Sequence, residues 1–171
     1  YTLPQMIGDQ QLAEHFVGGS WAVLYLAPHN YHRIHSPCDG EVVETLYLPG
    51  HFWPVNDWSV ETVPSLFAVN ERMVTRLRHP SGAEALVVMV AATNVGQIKL
   101  SYSDRVVGNS SWKRTALRWS ETALHLKRGE ELGVFQFGST VVLILDKEWK
   151  TVAPGHFQLE PYSVIRMGQL L

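Results

Sequence analysis

The spacing of apolar residues changes period once along this chain. Over residues 2–17 it is helical, with Leu3, Met6, Ile7, Leu12 and Phe16 able to share one face. Thr2 and Gln5 have capping-box spacing, Pro4 suits a first turn, and Gly18-Gly19 predicts the stop. Beyond that point short β-prone runs take over. Trp21–Ala27 and Glu41–Leu48 are predicted strands, separated by a loop over Pro28–Pro37 and a turn at Cys38-Asp39-Gly40. His51–Pro64 is irregular and aromatic, and Leu66–Asn70 suggests a helical turn. Met73–Arg78 and Ala85–Ala92 predict two strands joined through His79-Pro80-Ser81-Gly82, with another at Gln97–Tyr102. Ser103–Leu126 is the least regular stretch. Two apolar runs follow, Gly133–Phe137 and Val141–Leu145, then connecting structure over Glu148–Tyr162 and a last predicted strand at Ser163–Met167. Many short strands and few helices predict a mainly β (β-rich α+β) fold. The expected form is one compact domain over 1–171, sandwich-like or Greek-key-like, with short antiparallel strands and one N-terminal helix.

Composition narrows the classes. With 171 residues, 46% of them hydrophobic, the chain has material for one or at most two domains with a full core. A formal net charge of -2 gives no global attraction to nucleic acid. The single cysteine, Cys38, has no partner in the chain for a disulfide and suits a reducing compartment. No apolar run reaches the roughly 18 residues of a membrane span, and no signal peptide opens the chain. It begins at Tyr1 rather than methionine, which reads as a piece of a longer protein.

Chemistry enters between the two late apolar runs. Phe137-Gly138-Ser139-Thr140 puts Gly-Ser inside strand-like sequence, where glycine marks a bulge or a close backbone approach. One reading is an ordinary bulge filled by small residues. The other is reactive. Gly138 leaves its carbonyl unshielded, and a base that removes the Ser139 hydroxyl proton would let that oxygen attack it. The acyl group then moves from nitrogen to oxygen. Loss of the Ser139 α-proton breaks the chain, leaving a pyruvoyl group on Thr140. Such a ketone does the electron-sink work that pyridoxal phosphate does elsewhere.

The base is sought in Tyr31-His32-Arg33-Ile34-His35-Ser36-Pro37. His29, His32 and His35 are spaced three apart, but only Asp39 and Cys38 lie close enough in sequence to complete a metal site, and no metal is assigned. Structural histidines in a hydrogen-bonded loop are the plainer alternative. Arg33 suits bidentate binding of carboxylate or phosphate, or stacking on Tyr31. Arg105, Lys113, Arg114, Arg118, Lys127 and Arg128, interleaved with Trp112 and Trp119, suit an anionic membrane surface or a solvated loop.

Together the Gly-Ser-Thr and Tyr-His-Arg-Ile-His motifs resemble the phosphatidylserine decarboxylases, in particular the bacterial type cleaved at Leu-Gly-Ser-Thr, with Phe137 in the leucine place. The likeness also runs through Leu26-Ala27-Pro28, Cys38-Asp39-Gly40, Tyr47-Leu48-Pro49-Gly50, Leu66–Arg72, Ala91–Gly96, Gly129–Gly133 and Ile165–Gln169. The resemblance implies self-cleavage between Gly138 and Ser139. Residues 1–138 would be the C-terminal part of a large β chain and 139–171 a small α chain, the two remaining interleaved. It implies a covalent pyruvoyl cofactor made from Ser139, and a Schiff base with the amine of phosphatidylserine that yields phosphatidylethanolamine. His35 is implied as the base of a Ser-His-Asp group for maturation, and His32 as the residue serving decarboxylation. Arg33 and Tyr31 are the expected substrate-binding residues. The family's aspartate lies in a Pro-Ala-Asp-Gly stretch that this chain does not contain, and neither Asp39 nor Asp9 matches it. The expected partners are phosphatidylserine, its own cleaved chain, the cytoplasmic face of the cell membrane as a peripheral protein, and a second copy in a homodimer. An archaetidylserine-like substrate and a non-catalytic β-sandwich binding module are the alternatives.

Overall fold

In the computed structural model the described residues are 1–93, 97–107, 115–118, 124–135, 139–153 and 160–169. The chain starts with two short helices, α1 (Leu3–Ile7) and α2 (Gln10–His15). Thr2 and Gln5 form the predicted capping box. The predicted helix is nevertheless broken in the middle. Gly8 takes a left-handed φ of 73° and closes α1, and the Asp9 side chain then caps α2 by accepting from the Leu12 amide. A Cβ on Gly8 would lie 2.7 Å from Leu48 Cδ2, so the break also lets the helices sit close on the sheet.

The strands are β1 (Ser20–Leu26), β2 (Arg33–His35), β3 (Gly40–Leu48), β4 (Arg72–Arg78), β5 (Glu84–Val90), β6 (Ile98–Leu100), β7 (Ser103–Val107), β8 (Thr115–Arg118), β9 (His125–Leu126), β10 (Glu131–Phe135) and β11 (Ser139–Leu145). α3 (Asp57–Thr62) and α4 (Leu66–Val69) lie between β3 and β4, and α5 (Trp149–Val152) follows β11. One sheet has the order β1-β11-β5-β4-β3-β8, with β9 also on β3, and the other β2-β10-β6-β7. All these strand pairs are antiparallel.

Alternation along the central strands feeds two cores. Val87, Met89, Val141 and Leu143 pack with Ile98, Leu100, Leu132 and Phe135 between the sheets. Val88, Val90, Val142 and Ile144 face the other way, against Met6, Ile7, Leu12 and Phe16 of the helices. The result is three layers: helices, large sheet, small sheet. The predicted β-rich single domain is what forms. Within the predicted loops lie β2, α3, β7, β8 and β9, while Ser163–Met167, predicted as a strand, forms none.

Asn70, Glu71 and Arg72 hold one end of the large sheet together. Asn70 Nδ2 donates to the carbonyls of Trp53 and Ala91, and its Oδ1 accepts from the Trp53 amide. Glu71 is buried and accepts from the Tyr47 hydroxyl at 2.7 Å. Arg72 spends its guanidinium on the carbonyls of Gln5, Met6 and Asn70, tying α1 to β4, and burial lowers its pKa to about 10.

Candidate active site

The site sits where the chain passes between the sheets. β1 belongs to the large sheet and β2 to the small one, and β10 and β11 make the reverse change. The two passages are tied at both ends. Leu26 of β1 pairs with Ser139 at the head of β11, and the Phe135 amide at the tail of β10 donates to the His32 carbonyl at 3.1 Å. Ser139 therefore opens a strand in a new sheet rather than interrupting a continuous one. Phe137 and Gly138 lie outside the described residues, as do Lys113, Arg114, Trp112 and Trp119.

Local sequence explains the histidine loop. The Asn30 side chain accepts from the Ala27 amide, and the Asn30 amide donates to the Ala27 carbonyl, which folds the end of β1 into a turn. His32 Nδ1 lies 2.6 Å from the Asn30 carbonyl. A carbonyl only accepts, so Nδ1 carries the proton and, in the neutral ring, Nε2 is left with its lone pair. That Nε2 is buried and has no hydrogen-bond partner.

His35 meets a different environment. Its Nδ1 donates to the Gly129 carbonyl at 2.7 Å, and its Nε2 is 2.8 Å from the Tyr31 hydroxyl, with the two rings stacked. Gly129 has a φ of 82°, in a turn where the Gly129 amide donates to the Ser36 carbonyl and the Ser36 amide to that of Glu130. Arg33 grips Glu131 of β10 with both carboxylate oxygens at 2.8–2.9 Å. Of the sequence-selected residues, the structure thus joins Tyr31 to His35 and Arg33 to Glu131, and sets His32 beside β10. His29 is exposed, and among the described residues no three His, Cys, Asp or Glu are grouped to hold a metal.

Three features here were not foreseen from the sequence. The Gly129 carbonyl stands at the His35 nitrogen where a carboxylate was sought; its only sequence signal was the turn glycine. The Asn30 carbonyl sets the His32 tautomer. Thr140, next to Ser139, is fully buried and its Oγ1 has no partner. Buried polar atoms normally find partners. Among the described residues three side-chain atoms do not, and two of them, on His32 and Thr140, lie on the segments tied at this crossing; the third is Ser59 Oγ in α3.

These features define a β-rich domain with a histidine-lined crossing between sheets, a setting suited to acid–base chemistry at a strand end. The family of phosphatidylserine decarboxylases matches residues 1–171. The chain is 45% identical over 177 aligned residues to a phosphatidylserine decarboxylase proenzyme of Anaeromyxobacter, covering 100% of this chain and 60% of that protein. It is 40% identical over 169 residues to the proenzyme of Myxococcus xanthus, covering 99% and 58%, and 38% identical over 167 to that of Brevibacillus brevis, covering 96% and 57%. The chain belongs to the phosphatidylserine decarboxylase family, and it spans a little under three fifths to three fifths of the length of these relatives.

Proposed function

We propose that this chain is the larger part of a pyruvoyl-dependent decarboxylase that converts phosphatidylserine to phosphatidylethanolamine, after cutting itself between Gly138 and Ser139. The observation that carries the reading is the pair of unpartnered buried atoms, His32 Nε2 and Thr140 Oγ1, on the segments that meet at the head of β11. Leaving such atoms unpaired costs roughly 1–3 kcal/mol each, a cost that a group formed or bound there would relieve.

Maturation is assigned to His35. Its Nε2 takes the Ser139 hydroxyl proton as that oxygen bonds to the Gly138 carbonyl carbon. The C–N bond breaks, and the nitrogen takes the proton. Loss of the Ser139 α-proton then breaks the original Cβ–Oγ bond of Ser139, so that Oγ departs with Gly138 as its carboxylate and a dehydroalanine is left on Thr140. Water replaces the nitrogen, which leaves as ammonia, and the ketone remains. Gly129 supports this role, since its carbonyl keeps the His35 proton on Nδ1 and the lone pair on Nε2.

A pyruvoyl group at position 139 would supply a ketone for the substrate amine and an electron sink for the C–C bond that breaks. His32 is assigned the proton delivered to the former α-carbon. An Nε2 without a protein partner is free to exchange a proton with a ligand. Arg33 is assigned the lipid phosphate. Its pairing with Glu131 is exposed at the arginine, and such pairs are worth about 0–1 kcal/mol, so a phosphate can compete for it. Tyr31, beside it in the loop, completes the proposed substrate-binding pair.

A lipid substrate places the protein at a bilayer. Trp53, Trp58 and Val60 are exposed, and Asn70 and Thr93 anchor their segment at the end of the large sheet where β11 begins. Interfacial tryptophans favour such a surface. Of the basic stretch between Arg105 and Arg128, the exposed Lys127 and Arg128 are the members with described side chains. Residence on the cytoplasmic face and pairing of two copies belong to the same reading and rest on the family.

The test is carbon dioxide release by the full-length protein from vesicles containing phosphatidylserine or its isoprenoid counterpart. Release from phosphatidylserine, abolished by Ser139→Ala, is the expected result. Release from the isoprenoid lipid alone favours the archaetidylserine reading, and release from neither overturns the assignment.

A further inference from the structure

The Tyr31–His35 contact bears on when the protein matures. Because the Gly129 carbonyl fixes the proton of neutral His35 on Nδ1, the bond at Nε2 has one direction: the Tyr31 hydroxyl donates and the imidazole accepts. The lone pair assigned to the Ser139 proton is therefore already filled, by a phenol 2.8 Å away and four residues earlier in the chain. A hydroxyl donating into a base competes with any other hydroxyl that must reach it.

We propose that Tyr31 is a latch on His35, which holds the precursor uncut until the phenol turns away. Tyr31 is 54% exposed, so its ring has solvent to turn into. His35 has a second anchor in the Gly129 carbonyl, so a phenol that turns away would free Nε2 without freeing the ring. The charged groups around the turn are engaged elsewhere: Glu131 with Arg33, Glu130 with the Lys127 amide, and Asp39 with the Arg128 amide. The contact that changes is the phenol alone. The proposal rests on His35 being the maturation base, and it makes Tyr31 a positioning residue for the cut, ahead of any contact with substrate.

The sign of the effect separates a latch from a structural contact. A tyrosine that merely supports the loop slows cleavage when its hydroxyl is lost, and one that relays the proton slows it further. A latch speeds it. The experiment follows cleavage of freshly translated full-length protein on gels, comparing wild type, Tyr31→Phe, His35→Ala and the double variant. Tyr31→Phe is expected to cleave about 2- to 12-fold faster, the worth of one neutral hydrogen bond. His35→Ala and the double variant are expected to stay intact.

Cleavage of Tyr31→Phe at the wild-type rate or slower overturns the latch while leaving His35 as the base. Normal cleavage of His35→Ala removes the base assignment and the latch with it. A second measurement covers a Tyr31→Phe precursor that folds poorly. In a Ser139→Ala background, where no cut intervenes, diethylpyrocarbonate should modify His35 Nε2, located by peptide mapping, several-fold faster at one fixed pH when Tyr31 is replaced by Phe or Leu. Equal or slower modification in the folded fraction overturns the proposal.

Discussion

His32 and His35 differ in what their Nε2 atoms meet, and that difference separates their expected phenotypes. His35→Ala should leave the full-length protein uncut and inactive. His32→Ala should cut normally but lose carbon dioxide release by about 10²–10⁴-fold, the scale of a general acid. A His32→Ala protein that turns over at the wild-type rate removes His32 from the reaction. The histidines and the Gly-Ser-Thr were legible in the sequence because they are a motif. Their partners were not: the Gly129 carbonyl is 94 residues from His35 and is brought to it by the pairing of β2 with β10. Cys38 carries a separate prediction. Burial, with the charge of Asp39 adding to it, pushes its thiol from 9.0 up to about 12. Above pH 9 the unfolded chain gives up this proton while the folded one keeps it, so stability falls by about 1.4 kcal/mol per pH unit until the folded thiol ionises. Denaturant titrations of Cys38→Ala over that window should show a shallower alkaline loss than wild type. Parallel curves would place the loss elsewhere.

Elements with strong local signals formed where the sequence put them. β4 and β5 follow their β-branched runs, and the hairpin between them closes at His79–Ala83. Elements that depend on distant partners were hidden. β2 is three residues long and exists because β10 lies beside it. Ser163–Met167 had the composition of a strand, but Val164 and Met167 are exposed and no strand pairs with the segment among the described residues. The flanks of Gly138-Ser139 looked like one strand because apolar content does not reveal a change of sheet. The segment from His51 to Trp53 has no regular structure of its own and is held by Asn70. Asn70→Ala removes three hydrogen bonds and leaves their backbone partners unmet, so it should destabilise the protein by about 2–4 kcal/mol. It should also change the Trp53 fluorescence. A melting temperature equal to wild type would show that water replaces the amide without cost.

At the scale of the whole molecule, the proposed cut falls at the edge of a strand that the fold cannot release. β11 pairs with β1 from Ser139 to Leu145 on one side and with β5 from Thr140 to Leu145 on the other. Val141 to Ile144 are buried, in alternation, in both cores. The two products should therefore run as one particle in native gel filtration and part in denaturant. Separation under native conditions would contradict the strand order. That a β-rich domain of short antiparallel strands would form was readable from the chain; its three layers, and the place of the proposed cut at the seam between two sheets, were not, because sheet membership is decided by pairing across the whole molecule.

The mass of the full-length protein tests self-cleavage most directly. Denatured wild type should give two chains, the smaller containing residues 139–171, 33 of the 171 in this sequence, with its first residue lighter than serine by the conversion of the amine and hydroxyl to a ketone. Ser139→Ala should give one chain of full mass. A wild-type protein that remains a single chain, or a Ser139→Ala protein that still divides at this position, would contradict the central claim.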